Sequence, residues 1–423
     1  MKRLVVIGQG YVGLPMALRA AEKGFSVVGL DTKTSVVDAL NAGRSHIDDV
    51  SDEQLRSGLA GGYSASTDAS CVADADVVVV CVPTPLSADG GPDLGPVERA
   101  AATIGAHLQP NTLVILESTT YPGTTEEVFA PLVLGTRLQL GTDVNIAFSP
   151  ERVDPGNPVY GVQNTPKVVG GLTPECTRKA RDFYANFIDV VVEAKGAKEA
   201  EMAKLIENTF RHVNIALVNE MVRFCHELDI DLWDAIDCAA TKPFGFMAFR
   251  PGPGVGGHCI PIDPSYLSHR VKAQLGYAFR MVELAEEINH AAPLYVANRL
   301  WEALNENKIA MNGAKVLLLG VSYKADISDC RESPAYPLAE RLASWGAEVS
   351  YHDPFVPEWE FSTQAGAVTL ATAGDVYAAA SEATAVVLLQ RHSMYDLDRL
   401  ARSSTLLLDT RGVLDGSDTV HRL

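Results

Sequence analysis

The sequence has no long hydrophobic segment of the kind that spans a membrane. Even the apolar run VVVVCV at residues 77–82 is far shorter than the ~18 apolar residues that a membrane-spanning helix requires. Near the start, two basic residues precede the apolar run Leu4–Ile7, which stops at Gly8 and is too short for the core of a signal peptide. We therefore expect neither membrane association nor secretion.

Cysteine and positive charge are both scarce. The seven cysteines are odd in number, widely scattered and without a CxxC pair. This spacing argues against a disulfide framework and against a zinc site, so we expect a reduced, cytoplasmic protein with no bound metal. The 35 basic residues are outnumbered by 53 acidic ones, which gives a formal net charge of -18. Nonspecific binding to nucleic acid is therefore not expected, although a local pocket could still bind an anion.

The chain alternates regularly between β-rich and helical segments. Runs such as LVVIG, SVVGLD and ADVVVVCVP are separated by helical stretches up to about residue 195, which predicts a parallel, doubly wound sheet. Helical periodicity dominates residues 196–310, and the β/α alternation returns over 311–423 with KVLLLG, AVVLLQ and STLLLDTRG. We predict an α/β protein with domains 1–195 and 311–423 and a helical middle region. The apolar residues of its long first helix could pack within the chain or against a second copy.

A glycine-rich motif follows the first predicted strand. GQGYVG places Gly8, Gly10 and Gly13 before a helix, and Asp31 ends the second strand, 18 residues after Gly13. Such glycines permit a tight turn and let a pyrophosphate approach the helix N-terminus, while the acid binds the ribose hydroxyls. The pattern predicts dinucleotide binding. Asp31 would repel a 2′-phosphate and thus favours NAD over NADP, while the nearby Lys33 weakens that preference.

Further polar candidates follow the later strands of the first domain. Thr84 lies in CVPTP, Thr119 in ESTTYPGT, and Glu151 and Arg152 in FSPERVDPG. In open α/β sheets, ligands bind beyond the carboxyl ends of the strands. The two threonines could therefore contact a cofactor or cap the following helices. Glu151 could be a general base or an ordinary surface carboxylate.

Two more groups of polar residues lie in the middle and last regions. Lys204, Asn208 and Arg211 share one face of the long helix, either as a solvated stripe or as groups that hold an oxyanion or a sugar hydroxyl. In the last domain, three cations lie near predicted strand ends: Lys324, Arg331 and Arg411. These cations could bind a phosphate-bearing ligand or could pair with neighbouring aspartates.

Cys259 lies in the stiff, glycine-rich stretch GVGGHCIPID at residues 254–263. A lone cysteine is usually a small buried apolar residue. In a dehydrogenase that oxidises an alcohol twice, however, a thiolate can add to the intermediate aldehyde and give a thiohemiacetal. Oxidation of that adduct leaves a thioester, which water hydrolyses to an acid. Cys259 is therefore a candidate nucleophile that Lys204 could assist, and a two-electron dehydrogenase with a structural Cys259 is the alternative.

Five motifs together resemble the UDP-glucose/GDP-mannose dehydrogenase family over essentially the whole chain: GGHCIPID, AEMAKLIENTFRHVNIALVNE, SPERVDPGN, STTYPGT and YKADISDCRESP. The resemblance implies an NAD-dependent nucleotide-sugar 6-dehydrogenase. It also implies two Rossmann-like domains joined by a long central helix that forms a homodimer.

The same resemblance implies three sets of site residues. The catalytic set comprises Cys259 as nucleophile, Lys204 for the oxyanion and proton transfer, Asn208 and Asp263 for the reacting end of the sugar and a water, Glu151 for activation of water, and Thr119 beside the nicotinamide. The NAD set comprises Gly8, Gly10, Tyr11, Val12, Gly13, Asp31, Thr84, Thr119 and Arg331. The nucleotide-sugar set comprises Glu151, Arg152, Val153, Lys204, Asn208, Arg211, Phe249, Arg250, Gly256, Lys324 and Arg411.

The spellings GGHC, PIDP and SPERV are similar to those of the subgroup that acts on UDP-N-acetylmannosamine or UDP-N-acetylglucosamine. UDP-glucose or another nucleotide glucose is the alternative substrate. A family arginine that reaches into the neighbouring subunit has no match in register within TKPFGFMAFR, where Lys242 lies nearest to its place. A non-catalytic regulator that binds a nucleotide sugar is a remote alternative, because the catalytic set is complete.

Overall fold

The computed structural model describes residues 2–87, 91–154, 157, 159–257 and 260–423. His258 and Cys259, the centre of the predicted thiol loop, lie outside the described residues. The chain divides into two compact units: Met1–Glu207 with Ser265–Gly276, and Asn208–Pro264 with Tyr277–Leu423.

Among the described residues, the first unit contains eight strands: β1 (Arg3–Ile7), β2 (Ser26–Leu30), β3 (Tyr63–Ser66), β4 (Val77–Val80), β5 (Thr112–Leu116), β6 (Val144–Phe148), β7 (Lys167–Gly171) and β8 (Val191–Glu193). They form one sheet in the order β3-β2-β1-β4-β5-β6-β7-β8. Its first six strands are parallel, with Val6 opposite both Gly29 and Val79, and β7 is antiparallel to β6. This is the strand order of a doubly wound dinucleotide-binding sheet.

The helices of this part of the chain are α1 (Gly13–Glu22), α2 (Thr34–Asn41), α3 (Asp52–Ala60), α4 (Gly95–His107), α5 (Ala130–Leu134), α6 (Pro174–Tyr184) and α7 (Ala197–Glu227). A 3-10 helix, Ala69–Asp74, and a π-helical turn, Thr125–Phe129, complete them. The 31 residues of α7 form one continuous helix, as the absence of proline and glycine from this segment predicts. The helix contributes residues to both units.

The strands of the first sheet are apolar along their whole length because both faces of the sheet are covered. Leu4 and Val6 of β1 belong to one buried cluster, whereas Val5 and Ile7 belong to another. Successive side chains of a strand point to opposite faces, so one apolar run supplies two cores. This arrangement brings the polar residues that follow β1, β2, β4, β5 and β6 to one edge of the sheet.

The second unit contains the strands β9 (Lys315–Leu319), β10 (Glu348–His352), β11 (Glu358–Thr363), β12 (Gly366–Ala371), β13 (Ala385–Leu388), β14 (Leu407–Asp409) and β15 (Val420–Arg422). Five of them form a parallel sheet in the order β10-β9-β13-β14-β15, and β11 and β12 form an antiparallel hairpin. The remaining helices are α8 (Leu232–Ala240), α9 (Asp263–Leu275), α10 (Arg280–Glu306), α11 (Ala335–Ser344), α12 (Val376–Glu382) and α13 (Leu397–Ser403). All of them belong to the second unit except α9, most of which belongs to the first. The predicted α/β fold with two doubly wound sheets is confirmed.

Candidate active site

The turn between β1 and α1 can accept a diphosphate. Gly8 has a φ of +92°, and a Cβ on Gly13 would lie 1.9 Å from the carbonyl oxygen of Gly8, so both positions require glycine. A Cβ on Gly10 would meet nothing within 4 Å, which means that the backbone there faces open space. The Asp31 carboxylate accepts hydrogen bonds from the amides of Gln9 and Lys33, both at 3.0 Å. The residues present therefore fit NAD, with a glycine backbone at the helix N-terminus and an acid fixed beside it.

The two threonine candidates do not cap helices. After Thr84 the next helix begins at Gly95, and after Thr119 the next helical turn begins at Thr125. Thr84 is buried, and its carbonyl oxygen accepts a hydrogen bond from the Tyr266 hydroxyl. The capping role is therefore not observed at either threonine, and contact with the cofactor stays a prediction.

Lys204 on α7 is buried and meets Thr119 beyond the end of β5. The Lys204 ammonium donates a hydrogen bond of 2.5 Å to the Thr119 hydroxyl oxygen. The stripe of polar residues on α7 is thus not a solvated face at this position, since Lys204 is only 8% exposed. An ammonium held in a largely dry site is well suited to stabilise negative charge.

Glu201, one turn before Lys204, was not identified from the sequence. Its buried carboxylate accepts hydrogen bonds from the Gly123 amide at 2.6 Å, the Thr125 amide at 2.9 Å and the Thr125 hydroxyl at 2.7 Å. Burial raises the pKa of Glu201 against the effect of these three donors. The carboxylate ties the turn that follows Thr119 to α7. The available signal was an acid three residues before Lys204, on the same face of a covered helix.

Glu151 lies in a group of buried charges. Its Oε1 accepts a hydrogen bond of 2.6 Å from the Val153 amide, and its Oε2 lies 3.3 Å from the Lys167 ammonium. Lys167 also lies 3.0 Å from Oε1 of Glu117, which accepts a hydrogen bond from the Tyr184 hydroxyl. The sequence did not reveal Glu117, Lys167 or Tyr184 as partners of Glu151, because they come from separate strands and a helix.

This group of charges favours the ionised form of Glu151. Burial opposes ionisation, but Lys167, the Val153 amide and Lys204 outweigh it and lower the pKa of Glu151. Burial raises the pKa of Glu117 in spite of Lys167. Glu151 is thus a largely buried, charge-paired carboxylate and not the surface group of the alternative interpretation, and its role as a base stays a prediction. The neighbouring Arg152 forms an ion pair of 2.7 Å with Glu207.

In the second unit, Asn208 and Asp263 form a buried pair. The Asn208 amide nitrogen donates a hydrogen bond of 2.6 Å to the carboxylate of Asp263. Asp263 is the first residue of helix α9. The glycines before Cys259 pack closely on protein atoms. A Cβ on Gly256 or Gly257 would lie 2.7 Å from the Tyr323 side chain, and the Gly257 amide donates to the carbonyl oxygen of Arg331 at 2.9 Å. The bare backbone of this loop therefore allows contact with the last domain.

The candidate cations of the second unit have protein partners. Arg331 pairs with Asp329 at 2.6 Å, and Arg250 forms an ion pair with Asp237. The guanidinium of Arg411 donates to the carbonyl oxygen of Leu389, and burial lowers the pKa of Arg411 to about 10 against the effect of Asp409. The alternative interpretation, an ion pair with a neighbouring aspartate, is therefore present at Arg331.

The other predicted ligand-binding residues lie at various positions in the two units. Tyr11 and Arg211 are exposed, Val12 precedes α1, and the Phe249 ring lies 5.7 Å from that of Phe210. Lys242, which we placed near the family's cross-subunit arginine, is exposed with its ammonium over the Phe244 ring. Within the described ranges, the helices are too short or too polar to cross a membrane.

The first sheet, with its glycine turn and fixed acid, places the protein in the class of dinucleotide-binding proteins. Sequence models of one family match consecutive parts of the chain. The NAD binding domain of the UDP-glucose/GDP-mannose dehydrogenase family matches residues 2–188, the central domain residues 198–291 and the UDP binding domain residues 317–416.

Individual relatives agree with these matches. A UDP-N-acetyl-D-mannosamine dehydrogenase from Pyrococcus horikoshii is 37% identical over 356 residues, 84% of this chain and 84% of the relative. An NDP-N-acetyl-D-galactosaminuronic acid dehydrogenase from Ralstonia nicotianae is 34% identical over 423 residues, 97% of this chain and 96% of the relative. The solved structure of the UDP-D-ManNAc dehydrogenase from Pyrococcus horikoshii has a TM-score of 0.89 at 31% identity and covers 99% of this chain and 98% of that chain.

The chain therefore belongs to the UDP-glucose/GDP-mannose dehydrogenase family. It is an NAD-dependent nucleotide-sugar dehydrogenase. The family resemblance and the NAD cofactor that the sequence predicted are both confirmed.

Proposed function

We propose that this enzyme oxidises the C6 alcohol of a UDP-sugar to the uronic acid in two NAD-dependent steps, four electrons in all. UDP-N-acetylmannosamine or UDP-N-acetylglucosamine is the proposed substrate. The relatives named above act, by their names, on N-acetylated nucleotide sugars, which supports this choice. UDP-glucose or another nucleotide glucose is the alternative.

The proposed binding roles follow the two sheets. NAD is held by the turn Gly8–Gly13, by Asp31, and by Thr84 and Thr119; when bound, it accepts the hydride that each oxidation releases. The region 1–195 is the proposed NAD domain and 311–423 the proposed nucleotide-sugar domain. We assign the nucleotide sugar to Arg152, Val153, Arg211, Phe249, Arg250, Gly256, Lys324 and Arg411, with Tyr11, Val12 and Arg331 as further NAD contacts.

The observation that carries the proposed chemistry is the buried Lys204 ammonium beside Thr119. We assign to Lys204 the stabilisation of the oxyanion that forms when the Cys259 thiolate adds to the intermediate aldehyde. Loss of hydride from this thiohemiacetal gives a thioester. Asn208 and Asp263 are the proposed partners of the reacting end of the sugar and of a water.

Glu151 has the proposed role of base in the last step. It takes a proton from water, the hydroxide oxygen adds to the thioester carbonyl, and the thiolate of Cys259 leaves as the carboxylic acid forms. The lowered pKa keeps Glu151 ionised at neutral pH and therefore able to accept a proton, although it also makes the carboxylate a weaker base.

We further propose a cytoplasmic homodimer that assembles through α7. Four apolar side chains of this helix are exposed at spacings of four and seven residues: Ile206, Phe210, Leu217 and Phe224. A continuous apolar stripe of this kind on a polar protein is typical of an interface.

The test is the number of NADH molecules formed per sugar with UDP-N-acetylmannosamine, UDP-N-acetylglucosamine and UDP-glucose. We expect two NADH on an N-acetylated sugar. Two on UDP-glucose alone would keep the mechanism and change the substrate. One NADH with aldehyde accumulating would favour the two-electron enzyme, and none on any sugar would favour the regulator. Cys259→Ser should abolish formation of the acid, whereas Cys238→Ser, at an exposed cysteine, is the matched control.

A further inference from the structure

Four buried or half-buried ionisable side chains near Glu151 have no role in the proposed reaction. We call Cys81, Glu117, Lys167 and Tyr184 the Lys167 cluster. Lys167 opens β7, Glu117 follows β5, Cys81 follows β4 and Tyr184 ends α6. The side chains of Lys167, Glu117 and Glu151 are 8%, 0% and 14% exposed, so water screens their interactions poorly.

Two carboxylates share one ammonium in this cluster. The Glu117 carboxylate lies 3.0 Å from the Lys167 ammonium and accepts a hydrogen bond from the Tyr184 hydroxyl. The Glu151 carboxylate lies 3.3 Å from the same ammonium and accepts a hydrogen bond from the Val153 amide. Buried ion pairs seldom improve stability over apolar residues of similar size, because both charges lose their hydration. Stability alone therefore does not account for a lysine at this position, whereas a need for charge on Glu151 does.

Both oxygens of the Glu151 carboxylate have a hydrogen-bond donor, and one of the two donors is the Lys167 ammonium. Val153 occupies Oε1 and Lys167 occupies Oε2, so the plane of the carboxylate is fixed at both oxygens. Each oxygen retains a further lone pair with which it can accept a proton. A carboxylate held in one orientation takes a proton from a bound water faster than a freely rotating one, because less orientational entropy is lost in reaching the transition state.

We propose that Lys167 is a positioning residue that orients Glu151 and keeps it charged for attack of water on the thioester. This inference rests on the proposed function, in which Glu151 is the base. Glu117 and Tyr184 hold the far side of the ammonium and do not take part in the reaction.

Several charged or titratable groups face this site from the elements around it. Glu151 is influenced by Lys167 from β7, by Lys204 from α7 and by Glu117 from the end of β5. Lys167 is influenced by both glutamates and by Cys81, and its ammonium lies 5.2 Å from the centre of the Tyr184 ring. After removal of Lys167, Lys204 remains as a cation that acts on Glu151, so we expect a partial loss of function and not a complete one.

The test compares Lys167→Met, Lys167→Arg and Glu117→Gln. Glu117→Gln is the matched control, because it disrupts the same buried cluster but leaves the cation beside Glu151. We expect Lys167→Met to move the acid limb of the pH profile of kcat to higher pH, because loss of the cation raises the pKa of Glu151. On that limb, kcat should fall about tenfold for each pH unit. Lys167→Arg should restore the wild-type profile, and Glu117→Gln should stay within about threefold of it.

A second readout identifies the affected step. Lys167→Met should release two NADH per active site in a rapid phase and then turn over slowly, with the acyl adduct on the enzyme detectable by mass spectrometry after an acid quench. Its Kd for NADH and its kcat/KM for the sugar should be unchanged, because the affected step follows formation of the acyl adduct. An unchanged pH profile, or an equal loss in Lys167→Met and Glu117→Gln, would overturn the proposal.

Failure of the proposed role of Lys167 and failure of the proposed function give different results. If wild-type enzyme forms two NADH per sugar, the proposed function stands whatever the Lys167 variants do. If it forms one, the role of Glu151 is lost and the role of Lys167 with it. The melting temperature and NADH binding of Lys167→Met show whether this variant folds. If it does not, Lys167→Arg decides the matter: a wild-type pH profile supports the proposal, and a loss of activity with an unchanged melting temperature opposes it.

Discussion

Replacement of Glu201 by alanine tests how the active-site turn is held. The carboxylate of Glu201 joins α7 to the turn after Thr119 through three hydrogen bonds, two of them from the backbone amides of Gly123 and Thr125. In Glu201→Ala both amides lose their acceptor inside the protein. The turn should loosen, and with it the contact between Thr119 and Lys204.

The expected loss of stability follows from these contacts. Hydrogen bonds to a charged group contribute about 1.5–3 kcal/mol each, so three of them set an upper limit of roughly 9 kcal/mol. The burial that raises the pKa of Glu201 opposes this gain, because the variant no longer buries a carboxylate. We therefore expect Glu201→Ala to lower the free energy of unfolding by about 3 kcal/mol, the lower end for a broken buried network.

Thermal unfolding of the apoenzyme measures this effect. For a domain of 150–250 residues, 1 kcal/mol corresponds to about 2–4 °C, so Tm should fall by about 6–12 °C. Glu199→Ala, at an exposed position on the same helix, is the control and should shift Tm by less than about 2 °C. Thr125→Ala removes one of the three donors and should give an intermediate value. A Glu201→Ala protein that melts within 2 °C of wild type with full activity would refute the reasoning.

Two further predictions concern the glycine turn and the pH dependence of stability. Gly13→Ala should lower both Tm and NADH affinity, because its Cβ would lie 1.9 Å from the Gly8 carbonyl oxygen. Gly10→Ala adds a Cβ that meets no protein atom within 4 Å, so it should leave Tm unchanged and weaken NADH binding about tenfold or more. Burial and the nearby His290 lower the pKa of His212 from 6.5 to about 4. At pH values between 4 and 6.5, only the unfolded chain binds a proton at His212, so the free energy of unfolding should fall as the pH drops from 6.5 to about 4, by at most about 3 kcal/mol. Urea unfolding of His212→Gln at several pH values should lack this contribution to the pH dependence.

The sequence was sufficient to predict the fold because each strand contains its own signal. The run LVVI in β1 fills two cores at once, and the glycines after it are required by local clashes that involve only a few residues. Such short-range constraints leave a visible pattern. The continuous helix α7 was predicted for the same reason, since proline and glycine are absent from it.

The contacts of the site could not be predicted in this way. Thr119 and Lys204 are 85 residues apart, and Glu151 and Lys167 meet only because β6 and β7 are neighbours in the sheet. No spacing in the sequence encodes these pairs. Lys167 resembles an ordinary polar residue at the start of a strand, and only burial beside two carboxylates gives it a distinct chemical meaning.

Helix α7 shows why burial had to be observed and could not be inferred from periodicity. An isolated amphipathic helix is expected to bury its apolar stripe and to expose its polar one. Here the polar side chains are buried at spacings of three, four and seven residues: Glu201, Lys204, Asn208, His212 and Asn219. The apolar side chains of another stripe are exposed: Ile206, Phe210, Leu217 and Phe224.

Helix α7 also buries apolar side chains such as Leu205, Val218 and Val222. The buried polar groups and the exposed apolar ones nevertheless cost free energy, because polar groups lose their hydration while apolar surface stays in water. We interpret this cost through the two functions proposed for this helix. The buried polar stripe supplies Lys204 and Asn208 to the proposed reaction and Glu201 to the turn beside it, and in the proposed homodimer a second copy would cover the exposed apolar stripe. If α7 is the dimer seam, dilution to the monomer should therefore lower stability and activity together, because the same helix that loses its apolar cover also positions Lys204.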